Sequence, residues 1–249
     1  MITIAQLTDT HLLAQKQDNL RGSNPWSSLE AIVEAIAQAQ PDSLLLTGDI
    51  ADTGDRTAYE QAIALLSPLE TPIYWLPGNH DVNAFLKTSF THPHFHPPQT
   101  TLLGDWQLCT LDSTRQDARW GEGHLPQTTL HHLETQLKQT HRPTLIALHH
   151  HPLPTGIEWL DMMGLQNAED FLTLLHRFPQ VKLVVFGHIH SPFHQQQGDI
   201  HFYGTPSTCV QLPQTAHTPT DKQPGFRLLH LHPDGTHTTE IQRVEVFAS

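Results

Sequence analysis

Cysteine is almost missing from this chain: Cys109 and Cys209 are the only two in 249 residues. No disulfide framework can be built from them, and a reducing compartment is the simpler expectation. Basic residues are scarce as well, with 13 Lys and Arg against 25 Asp and Glu, a net charge of −12 when histidine is neutral. A nucleic-acid backbone or an anionic membrane demands a basic surface, so neither is expected as a partner. No apolar run approaches the length of a membrane span. The opening MITIAQLTDTH goes straight into a strand pattern and lacks the charged head, apolar stretch and small-residue cleavage site of a signal peptide. Together these absences lead to the expectation of a cytoplasmic protein. The length suits a single α/β domain over 1–249 with one large core.

Histidine is what the chain has in excess, 21 residues in all. That abundance makes accidental His-x-His matches common, so position has to discriminate. His92-Pro93-His94 and His94-Phe95-His96 lie in an irregular, proline-interrupted stretch from Thr91 to Gln99 and are assigned to a solvated loop. His131, His132, His230, His232 and His237 are read as structural or surface residues for the same reason.

Five apolar runs, in contrast, each stop at a metal-capable side chain. Ile2 to Leu7 precedes Asp9 and His11, Leu44 to Leu46 precedes Asp49, and Ile73 to Leu76 precedes Asn79. Leu145 to Leu148 precedes His149, and Val181 to Phe186 precedes His188 and His190. Short continuous apolar runs are the pattern of buried parallel strands, and groups just beyond their carboxyl ends converge in one crevice. On an extended segment His188 and His190 share a side, so both imidazoles can face the same centre. Pro77-Gly78-Asn79-His80-Asp81 combines a close backbone turn, a neutral amide ligand and an imidazole free to face substrate. In His149-His150-His151-Pro152 periodicity does not decide which imidazole faces the crevice, although position at the strand end favours His149.

Helical periodicity separates the strands: Leu29, Ile32, Val33 and Ile36, then Leu130, Leu133 and Leu137 after Pro126, then Phe171, Leu174, Leu175 and Phe178. Asn167 is expected to cap the last of these helices and Pro179 to close it. After Gly198 the pattern is strands alone: Ile200 to Tyr203, Phe226 to His232 and Thr236 to Phe247, the last two joined by a Pro-Asp-Gly turn. The expected C-terminal hairpin spans 226–249. Before it lies a loop over 205–225, whose stretch from Gln211 to Gly225 is rich in Pro, Thr and Gln and is expected on the substrate side.

The ordered series Asp-x-His, Gly-Asp, Gly-Asn-His-Asp, His-His and Gly-His-x-His resembles the calcineurin-like metallophosphoesterase superfamily. Trp159-Leu160-Asp161 and Thr205-Pro206-Ser207-Thr208-Cys209-Val210-Gln211 extend the likeness to the bacterial 3′,5′-cyclic AMP phosphodiesterases, the class III cyclic nucleotide phosphodiesterases. The resemblance implies a four-layer αββα sandwich with two mixed sheets. It assigns Asp9, His11, Asp49 and His190 to one metal and Asp49, Asn79, His149 and His188 to the other, with Asp49 bridging. It further implies His80 as general acid, Asp81 as a supporting group, and His11, Asp49, Asn79, His80 and His190 as substrate contacts. The implied activity is hydrolysis of 3′,5′-cyclic AMP to 5′-AMP by a hydroxide held between two ions. Iron with manganese is the implied pair and zinc the other candidate; mixed N and O ligation fits these better than Mg or Ca. A small cyclic nucleotide is the implied partner, and a homodimer is the assembly to look for. The rival activities are hydrolysis of a glycerophosphodiester or a 2′,3′-cyclic nucleotide on the same metals, and metal binding without catalysis. For the wall against a nucleotide base, Trp159, Phe193 and Tyr203 are the aromatic candidates, with core packing the first expectation for each.

Overall fold

The computed structural model describes residues 1–246. Sheet I has the strand order β12-β11-β1-β2-β3-β4. Its members are β1 (Ile2–Leu7), β2 (Ser43–Thr47), β3 (Ile73–Leu76), β4 (Phe95–His96), β11 (Gly225–Leu231) and β12 (His237–Arg243). Sheet II has the order β5-β6-β7-β8-β10-β9. It consists of β5 (Thr100–Leu103), β6 (Trp106–Thr110), β7 (Thr144–Leu148), β8 (Val181–Phe186), β9 (Phe193–Gln197) and β10 (Ile200–Gly204). Both sheets are mixed. In sheet I, β1 to β4 run parallel while β11 and β12 join antiparallel; in sheet II, β5 and β9 are the antiparallel edges of a parallel centre.

Three separate cores follow from the alternation of side chains along these strands. Ala5, Leu7, Leu44, Leu46, Ile73 and Trp75 point outward from sheet I onto α1 (Pro25–Ala39) and α2 (Arg56–Leu66). Ile146, Leu148, Val184 and Phe186 point outward from sheet II onto α4 (Gln127–Lys138) and α6 (Ala168–Leu175). Between the sheets Ile4, Leu45, Leu76, Leu108, Leu145, Leu183, Val185 and Leu229 meet face to face. Helix, sheet, sheet, helix is the expected four-layer sandwich. Two shorter helices, α3 (Asn83–Ser89) and α5 (Glu158–Asp161), lie near the crevice ends of the strands.

The five apolar runs are β1, β2, β3, β7 and β8, and the three periodic segments are α1, α4 and α6. α1 starts where its chemistry says it should: Asn24 accepts from Ser27 N at 2.8 Å and Pro25 occupies the first turn. α6 departs from expectation at both ends. Asn167 makes no capping bond; its amide instead bridges Leu125, accepting from N at 3.0 Å and donating to O at 2.8 Å. The helix stops at Leu175, so Phe178 packs from beyond its end and Pro179 follows rather than closes it. The C-terminal hairpin is formed by β11 and β12; Phe247, together with the rest of 247–249, lies outside the described residues. No described helix is long and apolar enough to cross a membrane.

Candidate metal centre

The strand ends bend the same way. Asp9, His11, Asp49, His188 and His190 all take left-handed backbone angles, with φ of 53°, 45°, 51°, 68° and 48°. For residues with a Cβ this conformation is costly, and it persists where the surrounding fold over-determines it. Here it turns side chains from β1, β2 and β8 off the strand direction and into the gap between the sheets. Two glycines make room: a Cβ on Gly78 would collide with the Asp49 carboxylate, and one on Gly187 with the Thr8 hydroxyl.

The seven expected ligands converge. His190 Nε2 lies 3.3 Å from Asp9 Oδ1 and 3.2 Å from His11 Nε2. His149 Nε2 lies 3.3 Å from Asp49 Oδ2, 3.1 Å from Asn79 Oδ1 and 3.2 Å from His188 Nδ1. Asp49 sits between the two groups, its Oδ2 3.8 Å from His11 Nε2 while its Oδ1 accepts from His80 N at 2.9 Å. All except Asn79 and His190, which are half-buried, are buried.

Hydrogen bonding at the far side of each ring fixes which nitrogen faces inward. His149 Nδ1 donates to Thr47 O at 2.8 Å, His190 Nδ1 donates to Val210 O, and His11 Nδ1 lies 3.1 Å from Asp52 Oδ1. Their Nε2 lone pairs therefore point at one another and at carboxylate and amide oxygens. Acceptors packed this closely repel unless positive charge lies among them. His188 turns its Nδ1 to the same cluster. Histidine nitrogens with carboxylate and amide oxygens are the donor set of divalent transition metals, so the residues present fit a two-metal centre.

Charge in the crevice behaves accordingly. Burial pushes the Asp49 carboxyl up, but His149, bonded beside it, and His11 hold it well below the ordinary carboxylate range. Burial also opposes protonation of His149, yet Asp49 raises it to about 9. Asp81 is pushed up to about 6 by burial and by the Asp49 charge, even though it accepts from Gly78 N at 2.9 Å and from Ile50 N and Ala51 N at 3.1 Å. With Tyr59 OH donating to it at 3.1 Å, Asp81 ties the loop after β2 to the loop after β3.

His149, not its neighbours, faces the centre. His150 commits both nitrogens elsewhere, to Ser113 Oγ at 2.8 Å and Gly121 O at 3.0 Å. His151 stacks on the His188 ring at 5.6 Å. Of the aromatic candidates, Trp159 lines the crevice. Phe193 packs on Phe186 at 5.7 Å, and Tyr203 is buried between the sheets under Arg227, so neither faces the site. His96 stacks on Tyr74 at 5.1 Å, far in function from the centre.

Several contributors escaped sequence reasoning. Asp52 bonds His11, and its carbonyl accepts from His80 Nδ1 at 2.7 Å. Its place three residues after Asp49 was the available signal. Ser207 Oγ donates to Asp9 O at 2.7 Å and Thr208 N to Thr8 O at 3.0 Å, pinning the Asp9 loop from sheet II. Arg21 lines the crevice with no motif to mark it.

Two mixed sheets meeting at a seam of acidic and imidazole side chains define a metallophosphoesterase. A model of the calcineurin-like phosphoesterases matches residues 2–192, and the chain belongs to that family. Among its relatives, a 3′,5′-cyclic-nucleotide phosphodiesterase of Nostoc sp. is 41% identical over 248 residues, covering 98% of this chain and 92% of that protein. The 3′,5′-cyclic adenosine monophosphate phosphodiesterase CpdA of Escherichia coli is 39% identical over 249 residues, covering 98% and 90%. The fold is shared with a dimetal phosphatase from Danio rerio, at a TM-score of 0.70 and 14% identity over 93% of both chains. It is shared also with TT1561 of Thermus thermophilus, at 0.67 and 13% over 98% and 99%.

Proposed function

We propose that this chain hydrolyses 3′,5′-cyclic AMP to 5′-AMP. The observation that carries the reading is the position of Asp49, whose carboxylate adjoins both the His11 and His190 group and the His149, Asn79 and His188 group. Asp9, His11, Asp49 and His190 would hold one cation, and Asp49, Asn79, His149 and His188 the other. Two such ions, when bound, neutralise phosphoryl charge and bring the pKa of water to about 7. Iron and manganese are the proposed pair.

Within this reading His11, Asp49, Asn79, His80 and His190 border the phosphodiester. Water attacks phosphorus in line, the bond from phosphorus to the 3′ oxygen breaks, and the leaving oxygen takes a proton from His80, while the proton lost by the water passes to solvent, from which His80 is reprotonated. The His80 side chain is 41% exposed and its Nδ1–H is tied to Asp52 O, so the proton transferred is the second one, carried on Nε2 by the imidazolium form. Asp81 supports the site indirectly by holding two ligand loops together. The substrate-side loop, expected over 205–225, ends at 224 because Gly225 opens β11, and it belongs to a single domain: Val210 and Leu212 line the crevice, and Val210 O orients His190. Trp159 is the wall for the base. The proposed location is the cytoplasm.

The test is turnover of 3′,5′-cyclic AMP, 3′,5′-cyclic GMP, 2′,3′-cyclic AMP and a glycerophosphodiester by protein loaded separately with iron and manganese. Preference for the 3′,5′-cyclic nucleotides is expected. Equal slow rates on all four would leave a general phosphodiesterase, and no turnover with two ions bound would reject the reading.

A further inference from the structure

Among the described residues eight non-glycine positions have positive φ. Five belong to the candidate metal centre. Gln40 and Glu70 are left-handed caps, closing α1 and the 3₁₀ turn Ser67–Leu69. Arg21 is the eighth, at 48°.

The conformation of Arg21 is built in by a tight turn. Leu20 N donates to Ser23 O at 2.8 Å and Ser23 N to Leu20 O at 3.0 Å, enclosing Arg21 and Gly22, both with positive φ. That geometry favours Asn or Gly at the first central position, and an arginine meets steric opposition there. Asn24 secures the turn's base by donating to Lys16 O at 2.8 Å and Asp18 O at 2.9 Å. The turn puts Leu20 and Arg21 into the wall of the crevice that holds Asp49, Asn79, His80 and His190.

Arg21 is the one Lys or Arg of that wall among the described residues. The arginines that pair with carboxylates are Arg115, Arg142 and Arg177; Arg21 makes no such pair among the described residues. In a protein of net charge −12, with 13 Lys and Arg in all, an uncommitted cation held in a strained turn at an anionic-substrate crevice calls for a ligand.

We propose that Arg21 supplies the fixed positive charge that binds the phosphoryl group of substrate and product. The planar guanidinium matches two phosphoryl oxygens at once. This rests on the phosphodiesterase reading and adds to it a residue that contacts substrate without holding metal. The product phosphomonoester carries more charge than the diester, so Arg21 also retains product.

The experiment uses the metal-loaded full chain, comparing wild type with Arg21→Gln, Arg21→Lys, Arg21→Gly and, as a surface control, Arg142→Gln. Substrates are 3′,5′-cyclic AMP and bis(4-nitrophenyl) phosphate, a diester without a purine, with inorganic phosphate as competitor. In Arg21→Gln the KM of both diesters and the inhibition constant of phosphate should rise on the order of tenfold. The value of kcat should stay within about twofold. Arg21→Lys should recover part of the loss, and Arg142→Gln should match wild type. Arg21→Gly should lose affinity equally yet melt no lower than wild type, because glycine relieves the turn; a merely structural arginine would not separate the two. Unchanged KM on both diesters, or a rise for cyclic AMP alone, which would place the guanidinium on the base, overturns the proposal. If wild type cleaves neither diester the phosphodiesterase reading fails by itself, and equal phosphate dissociation constants for wild type and Arg21→Gln would still overturn the role of Arg21.

Discussion

Single residues in this crevice divide by what their atoms face. Asp49 faces both imidazole groups, so Asp49→Ala should lose both ions and all turnover, read by metal analysis beside a kinetic assay. A variant retaining two equivalents of metal would contradict the bridging role. His80 is tied to Asp52 through Nδ1 and otherwise stands open. His80→Ala should therefore keep its metals while kcat falls by about a hundred- to ten-thousandfold; full activity would remove the proton-transfer role. The convergence of the candidate ligands was legible in the sequence because each follows an apolar run, and strand polarity gathers such termini. Asp52 and Arg21 were not, because their meaning depends on a ring nitrogen and a turn supplied by distant or irregular backbone. Tyr203 takes the core-packing role rather than the base wall, because an aromatic at a strand's crevice end can turn inward, and this one stacks with His194 at 4.6 Å.

Elements were legible where apolar residues run on without a break, not simply where they are buried: β6, Trp-Gln-Leu-Cys-Thr, is buried throughout but broken by polar residues and was not legible. β1, β2, β3, β7 and β8 are nearly continuous apolar runs, whereas the edge strand β9 is Phe-His-Gln-Gln-Gln and carries no such signal. β9 nevertheless has a role, placing His194 against His201 and Tyr203 of β10, with His237 of β12 reaching across to Tyr203 OH at 3.0 Å. Burial, aided by His201, His194, His232 and Arg227, lowers His237 from 6.5 to about 4. A histidine whose folded pKa is depressed binds fewer protons than the unfolded chain between those two values, so its contribution is full above pH 6.5 and fades as pH falls towards 4. The melting temperature of wild type should drop more steeply through that window than that of His237→Gln. Parallel slopes would show that the group is solvated.

At the scale of the whole molecule, the two sheets are locked by polar as well as apolar contacts. Arg227 on β11 is buried with no carboxylate partner among the described residues, donating to Gly204 O at 2.8 Å, Thr205 Oγ1 at 3.2 Å and Thr239 Oγ1 at 2.9 Å. Thr205 Oγ1 donates to Gln6 Oε1 at 2.7 Å, and Gln6 Nε2 reaches Thr47 Oγ1 at 3.1 Å and Phe186 O at 3.2 Å. Thr47 O in turn orients His149. The four-layer plan was legible from apolar alternation, but this chain of amides and hydroxyls was not, since it joins residues far apart in sequence. Removing the ions with a chelator should lower the melting temperature, by roughly 3 kcal/mol of stability for each ion present at a hundred times its dissociation constant. Loss of activity with an unchanged melting curve would show the ions to be uncoupled from the fold.

Each half of the centre draws donors from both sheets: Asp9, His11 and Asp49 face His190, and Asp49 with Asn79 faces His149 and His188. The ions would then act as rivets across a lengthwise joint, resisting any sliding of one slab over the other. Catalytic readiness and mechanical stiffness would rise together, and amide hydrogens flanking the joint would exchange more slowly in the loaded protein than in the stripped one.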